Sequence, residues 1–164
     1  MKFVPVDVHS ITLDPESNSP ILILKEKGGD KILPIWIGLL EATAIATEME
    51  KIEFSRPMTH DLAIAIVKAV NGSISRVTIT ELKENTYYAL ISLVVGDQVI
   101  EVDARPSDAV ALALRAQAEI LVNEAIINQS PGQAETILRS EDLTEEKQRW
   151  ADILEEIDPQ KYKM

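Results

Sequence analysis

Two short stretches hold the residue types that could do chemistry. They are RPMTHDL over 56–62 and RPSDAV over 105–110. Each sets an arginine and a proline ahead of a hydroxyl residue and an aspartate, then runs into an alanine-rich apolar stretch. That is the pattern of a helix start: proline suits the first turn, a hydroxyl caps, and an acid offsets the dipole. A helix start also presents unpaired N–H groups and partial positive charge. An arginine just ahead of it adds a planar fork that matches two phosphate oxygens. Arg56 and Arg105 are therefore candidates for binding an anion such as phosphate, with Thr59 and Ser107 beside them as substrate contacts. The plainly structural alternative is that each arginine pairs with one of the 27 acidic residues, which outnumber the 16 basic ones.

Four carboxylates stand close to these motifs. Asp61 and Asp108 fall in the first turns, Asp103 ends the preceding strand, and Glu41 lies on the apolar side of an earlier helix. Carboxylates converging from a strand end and two helix starts are a ligand set for Mg2+ or Mn2+. Dipole compensation alone also explains Asp61 and Asp108, but explains Asp103 less well. His60 follows the expected cap residue, and histidine is the usual proton shuttle near neutral pH. The alternative is a surface histidine with local hydrogen bonds. The candidate catalytic set is His60, Arg56, Arg105 and Asp103. His9, in mid-strand, is assigned a structural role.

The elements that must position these groups follow from periodicity. FVPVDVHSITL (3–13) alternates as a half-buried strand. PILILKE and KILPIWIG follow as two more, and Pro34 argues for an edge position or a bulge. LLEATAIATEMEKI (39–52) is a helix whose solvent side should carry Thr43, Thr47 and Glu50. Glu41 and Glu48 lie opposite, at the rim of the core, an interface or a site. HDLAIAIVKAV is a second helix capped by Thr59 and stopped by Asn71-Gly72. SISRVTITELKE, TYYALISLVVG and QVIEVDA are three strands. Ser107 or its neighbour caps DAVALALRAQ, and EILVN is a last short strand. The fold class is α+β, with mixed or antiparallel sheets, helices packed on them, and a strand-strand-strand-helix unit that looks duplicated. Residues 1–128 form the α+β domain. Residues 129–164 add a polar connector, an acidic amphipathic helix carrying Trp150, Ile153, Leu154 and Ile157, and a frayed end.

Composition narrows the function. At 164 residues and 46% hydrophobic, the chain suits one domain burying roughly two-thirds of its unfolded surface. No apolar run approaches the ~18 residues of a membrane span, and the N-terminus has no signal-peptide core. The absence of cysteine excludes thiol catalysis and thiolate zinc sites, and it fits a reducing, cytoplasmic interior. No glycine-rich phosphate loop, dinucleotide fingerprint or nucleophile elbow is present. The net charge of -11 disfavours nucleic acid as a partner unless a local basic cleft or bridging metal overcomes it. The apolar faces of the first and last helices suggest a homo-oligomer, a dimer or larger.

LPIWIG followed by a glutamate-bearing helix, then RPMTHDL, then VDARPSDAVALALR and EILV, together resemble the bifunctional nuclease domain family, formerly a domain of unknown function. The likeness runs from about Phe3 to Val122, and QRWADILEEIDPQKY resembles the family's closing helix. It implies an α+β fold and, from the plant members, degradation of both DNA and RNA. The motif positions are Glu41, Arg56, Pro57, Thr59, His60, Asp61, Asp103, Arg105, Pro106, Ser107 and Asp108. Cutting both polymers excludes the 2′-hydroxyl as obligatory nucleophile, so water must attack, and metal-bound water is the usual route. A non-enzymatic regulatory domain binding a nucleotide or another phosphorylated anion is the competing expectation. A scaffold held together by Arg–Asp pairs is a third.

Overall fold

The computed structural model describes residues 1–129 and 143–156. The expected connector over 129–141, apart from Gln129, lies outside the described residues, as do Ile157 of the expected closing helix and the expected frayed end over 159–164. In chain order the elements are β1 (Phe3–Leu13), β2 (Pro20–Glu26), β3 (Ile32–Trp36), α1 (Leu39–Met49), α2 (Thr59–Ala69), β4 (Gly72–Lys83), β5 (Thr86–Val95), β6 (Gln98–Ala104), α3 (Pro106–Ala116), β7 (Glu119–Asn123), α4 (Glu124–Ile127) and α5 (Leu143–Glu156).

The strands form one mixed seven-stranded sheet in the order β3-β2-β1-β7-β4-β5-β6. Two antiparallel meanders, β1-β2-β3 and β4-β5-β6, flank β7. That strand runs antiparallel to β1 and parallel to β4, so the two sides are not equivalent. A duplication is not established by this arrangement. Pro34 sits in edge strand β3, a position that tolerates its missing N–H. Tight turns join the second meander where left-handed backbone is needed, at Glu84-Asn85 and at Gly96 (φ +58°).

One face of the sheet carries the main core. Leu22, Leu24, Val77, Ile79 and Val122 pack there against Ala42 and Ile45 of α1 and Val110 of α3. In α3, Ala109, Ala111 and Ala113 are fully buried. Small side chains let this helix lie close on the strands, and α3 forms the centre of the helical layer, touching α1, α2 and the sheet. Ile153 of α5 packs against the same core. Ile21, Ile23 and Ile32 form a small buried cluster of their own, on the other side of the pleat from Leu22 and Leu24.

Three local expectations change. Thr47 is buried rather than on the solvent side, because its hydroxyl bonds back to Ala44 O at 3.2 Å and so needs no water. Thr59 is the first helical residue, not the cap. The N–H ahead of it, on Met58, donates to the Asp61 carboxylate at 3.0 Å, so the acid caps α2 from inside its first turn. Ser107 is likewise inside α3, whose N-cap is Arg105 with Pro106 at the first position.

Candidate functional site

The first turns of three helices meet on the sheet's helical side. Glu41 stands in the first turn of α1, His60 and Asp61 in that of α2, and Arg105 and Asp108 at the start of α3. Arg105 holds the point where they join. Its Nε donates to Asp108 Oδ2 at 2.6 Å, and its Nη1 donates to Glu41 Oε1 at 2.7 Å. Those bonds use two of its five N–H groups, and the side chain is 64% exposed, so the remaining donors face solvent. The other Asp108 oxygen, Oδ1, lies 2.9 Å from His60 Nε2.

This geometry sets the charge of Asp108 and the donor atom of His60. Burial acts to raise the Asp108 carboxyl, but the Arg105 and His60 hydrogen bonds and their positive charge outweigh it, and the group is held below its usual range. Asp108 is therefore ionised and can only accept, so the His60 proton sits on Nε2. Nδ1 has no partner among the described residues, and in the neutral ring it carries the free lone pair. An imidazole oriented by a carboxylate in this way is the arrangement of a general base. The same Asp108 and Glu41 carboxylates hold the Arg105 guanidinium more firmly protonated than usual.

A second clasp lies deeper. The Arg115 side chain, only 8% exposed, donates from Nε to Asp61 Oδ1 at 2.6 Å. It also donates to Ala111 O and to Ala44 O, both at 3.0 Å. One guanidinium thus ties α1, α2 and α3. Burial acts to raise Asp61, and the Arg115 hydrogen bond, the Met58 N–H and neighbouring positive charge bring it net below the usual range. Arg115 was not among the candidates from sequence. Its signal was spacing: it follows Asp108 by two helical turns on the same face of an otherwise apolar helix.

The other candidates are placed differently. Arg56 is exposed in the α1–α2 connector, with no hydrogen bond or ion pair among the described residues. Thr59 is exposed at the start of α2, while Ser107 is only 6% exposed, its hydroxyl withdrawn from the surface. Asp103 pairs with Leu90, whereas Ala104 pairs with the core residue Ala89. The pleat therefore points Asp103 to the face of the sheet opposite the helices. Glu41, Asp61, Asp103 and Asp108 do not come together, and no group of three or more acidic or histidine side chains arranged for a metal ion occurs among the described residues. Glu41 and Asp108 instead share the cation of Arg105. As arranged, these four carboxylates do not fit one divalent ion.

A family model described as the bifunctional nuclease domain matches residues 22–135. An uncharacterized protein of Mycobacterium tuberculosis is 38% identical over 166 aligned positions, covering 96% of this chain and 97% of its own length. Bifunctional nuclease 1 of Oryza sativa subsp. japonica is 27% identical over 69% of this chain and 35% of its own. Bifunctional nuclease 2 of Arabidopsis thaliana is 27% identical over 65% of this chain and 33% of its own. The chain thus spans about a third of the plant proteins. Among the described residues no helix is long and apolar enough to cross a membrane.

Proposed function

From the chain's membership of the bifunctional nuclease domain family, we infer that it hydrolyses phosphodiester bonds of DNA and RNA at the junction of α1, α2 and α3. The observation that supports this most directly is the His60–Asp108–Arg105 chain: an oriented imidazole base beside an exposed guanidinium, at the positive ends of three helices. Water attacks phosphorus as His60 Nδ1 accepts its proton. Arg105, through its unused N–H groups, and Arg56, from its exposed connector, stabilise the charge that develops on the phosphoryl oxygens. The P–O bond to the leaving nucleoside breaks, and the imidazolium returns the proton to the leaving oxygen. Asp108 holds the tautomer, and Glu41 sets the angle of Arg105. No step is routed through a metal, because Asp108 and Glu41 are already engaged.

The test incubates purified protein with single- and double-stranded DNA and RNA, in magnesium, manganese or chelator. His60→Ala and Arg105→Ala should each lower the cleavage rate by about 10²-fold or more. Asp103→Asn, on the far face, should leave it within about twofold. Cleavage that survives both the His60 and Arg105 substitutions would assign the activity to another site or a contaminant. No cleavage by the parent protein, together with phosphate-dependent thermal stabilisation that Arg105→Ala removes, would favour an anion-binding regulatory domain instead.

A further inference from the structure

We propose that the outer face of α2 is a homodimer interface, packed against α2 of a second copy about a two-fold axis. Met58, Leu62, Ile66 and Val70 are 50%, 51%, 57% and 58% exposed, and Ala65 and Ala69 are exposed between them. At 100° per residue these side chains share one arc, and no charged residue falls within it. A helix on a protein surface normally turns its charges outward, and a helix apolar all round belongs in an interior. Here the inner face is already used: Ile64 is buried, and His60 and Asp61 reach α3. The outer face is as apolar as the inner one, in a chain that is 26% charged.

Two features select a second copy of this chain as the occupant. The first is shape. Leu62, Ile66 and Val70 make a ridge at i, i+4, i+8, and the neighbouring row Ala65–Ala69 makes a shallow groove beside it. A ridge and a groove on the same surface are self-complementary, as a two-fold contact requires. The second is charge. Two chains of net charge -11 repel, and an uncharged face is where they can approach. Lys68 is exposed, has no ion-pair partner among the described residues, and lies on the same flank as Asp61. Antiparallel pairing brings each Lys68 near the first turn of the other α2, where Asp61, although bonded to Arg115 and the Met58 N–H, is still 36% exposed. The contact would also brace the helix that carries His60. It is independent of the nuclease assignment, because its test reads mass.

The experiment is sedimentation velocity and light scattering across a dilution series of the full chain. The parent should run at twice 18.2 kDa and Ile66→Glu at 18.2 kDa, with unchanged circular dichroism and unfolding midpoint. Because the chain has no cysteine, Ala65→Cys should form a disulfide-linked dimer on mild oxidation, and Val99→Cys, on the exposed edge strand β6, should not. A monomeric parent at tens of micromolar would overturn the proposal. So would an oligomer that Ile66→Glu leaves intact, or cross-linking through Val99→Cys in place of Ala65→Cys.

Discussion

Asp61→Ala is expected to destabilise the fold more than Arg115→Met, although both remove the same 2.6 Å ion pair. The asymmetry comes from burial: the Arg115 side chain is 8% exposed and that of Asp61 is 36% exposed. Removing Asp61 leaves a guanidinium shut away from water with only the Ala44 and Ala111 carbonyls for company. Breaking a buried pair this way costs about 3–5 kcal/mol, and solvent screening at the partly exposed Asp61 puts the value at the low end, about 3 kcal/mol. Loss of the cap bond to Met58 N–H adds about 1 kcal/mol. Removing Arg115 instead leaves a carboxylate that water can reach, while methionine keeps the apolar stem packed, for about 1–2 kcal/mol. At roughly 2–4 °C per kcal/mol for a domain of this size, Asp61→Ala lowers Tm by about 8–16 °C and Arg115→Met by about 2–8 °C. The double variant should be more stable than Asp61→Ala alone, because it removes the stranded charge. Urea and thermal unfolding of the four proteins close the cycle. A double variant less stable than Asp61→Ala would show that the buried charge is not what the pairing relieves.

Acid should loosen the helical layer in a defined direction. Asp61 and Asp108 are both held below the ordinary aspartate value of 3.8, so their contribution is complete above that value and fades as pH falls through the lowered folded values. The urea midpoint should therefore be flat from about pH 7 to 5 and drop below about pH 4, and an Asp61→Asn/Asp108→Asn double variant should show a shallower drop. Gly38→Ala tests the Arg105 clasp from a distance. Gly38 is the N-cap of α1 with φ -80°, which alanine accepts, but an added Cβ meets the Glu41 carboxylate folded over it. Part of the substitution's cost, about 0.5–1 kcal/mol, should vanish in a Glu41→Ala background when both are measured by urea unfolding.

The strands were legible because runs of apolar and β-branched residues, alternating in β1 and continuous in the buried β2, end at turn residues that survive translation into sequence. QVIEVDA is β6 residue for residue, and Asn71 takes the left-handed backbone that ends α2. The site was legible only in part. Glu41, His60, Arg105 and Asp108 do meet in one network, since each lies in a first turn or cap and the three helices bring those ends together, while Asp61 joins Arg115 in a second. Asp103 looked equivalent because it stands two residues from Arg105. Strand parity decides its face, however, and parity relative to the core is set by the pairing of Ala104 with Ala89 across 15 residues of chain. Thr59 and Ser107 were read as caps from their chemistry, but proline at the first position of α3 and the carboxylate of Asp61 in α2 leave those roles filled. Arg115 was missed because a basic residue in a helix's last turn is common and ordinarily solvated.

A net charge of -11 argues against a polyanionic substrate only if the charge is spread evenly. At the helix junction it is not. The carboxylates of Glu41, Asp61 and Asp108 there each accept from Arg105, Arg115 or His60, and with Arg56 included three guanidiniums balance the three carboxylates. What is left over is donors: the outward N–H groups of Arg105, and Arg56 with no acidic partner among the described residues. The acidic excess must then lie elsewhere on the surface. A phosphate approaching the junction meets a locally neutral, donor-bearing opening in an anionic protein, and salt screens the long-range repulsion while leaving the contact attraction largely in place. Affinity for nucleic acid at this site should thus fall less steeply with added salt than it does for a uniformly basic binder, whose attraction acts at long range. A steep salt dependence would place the binding surface away from this junction.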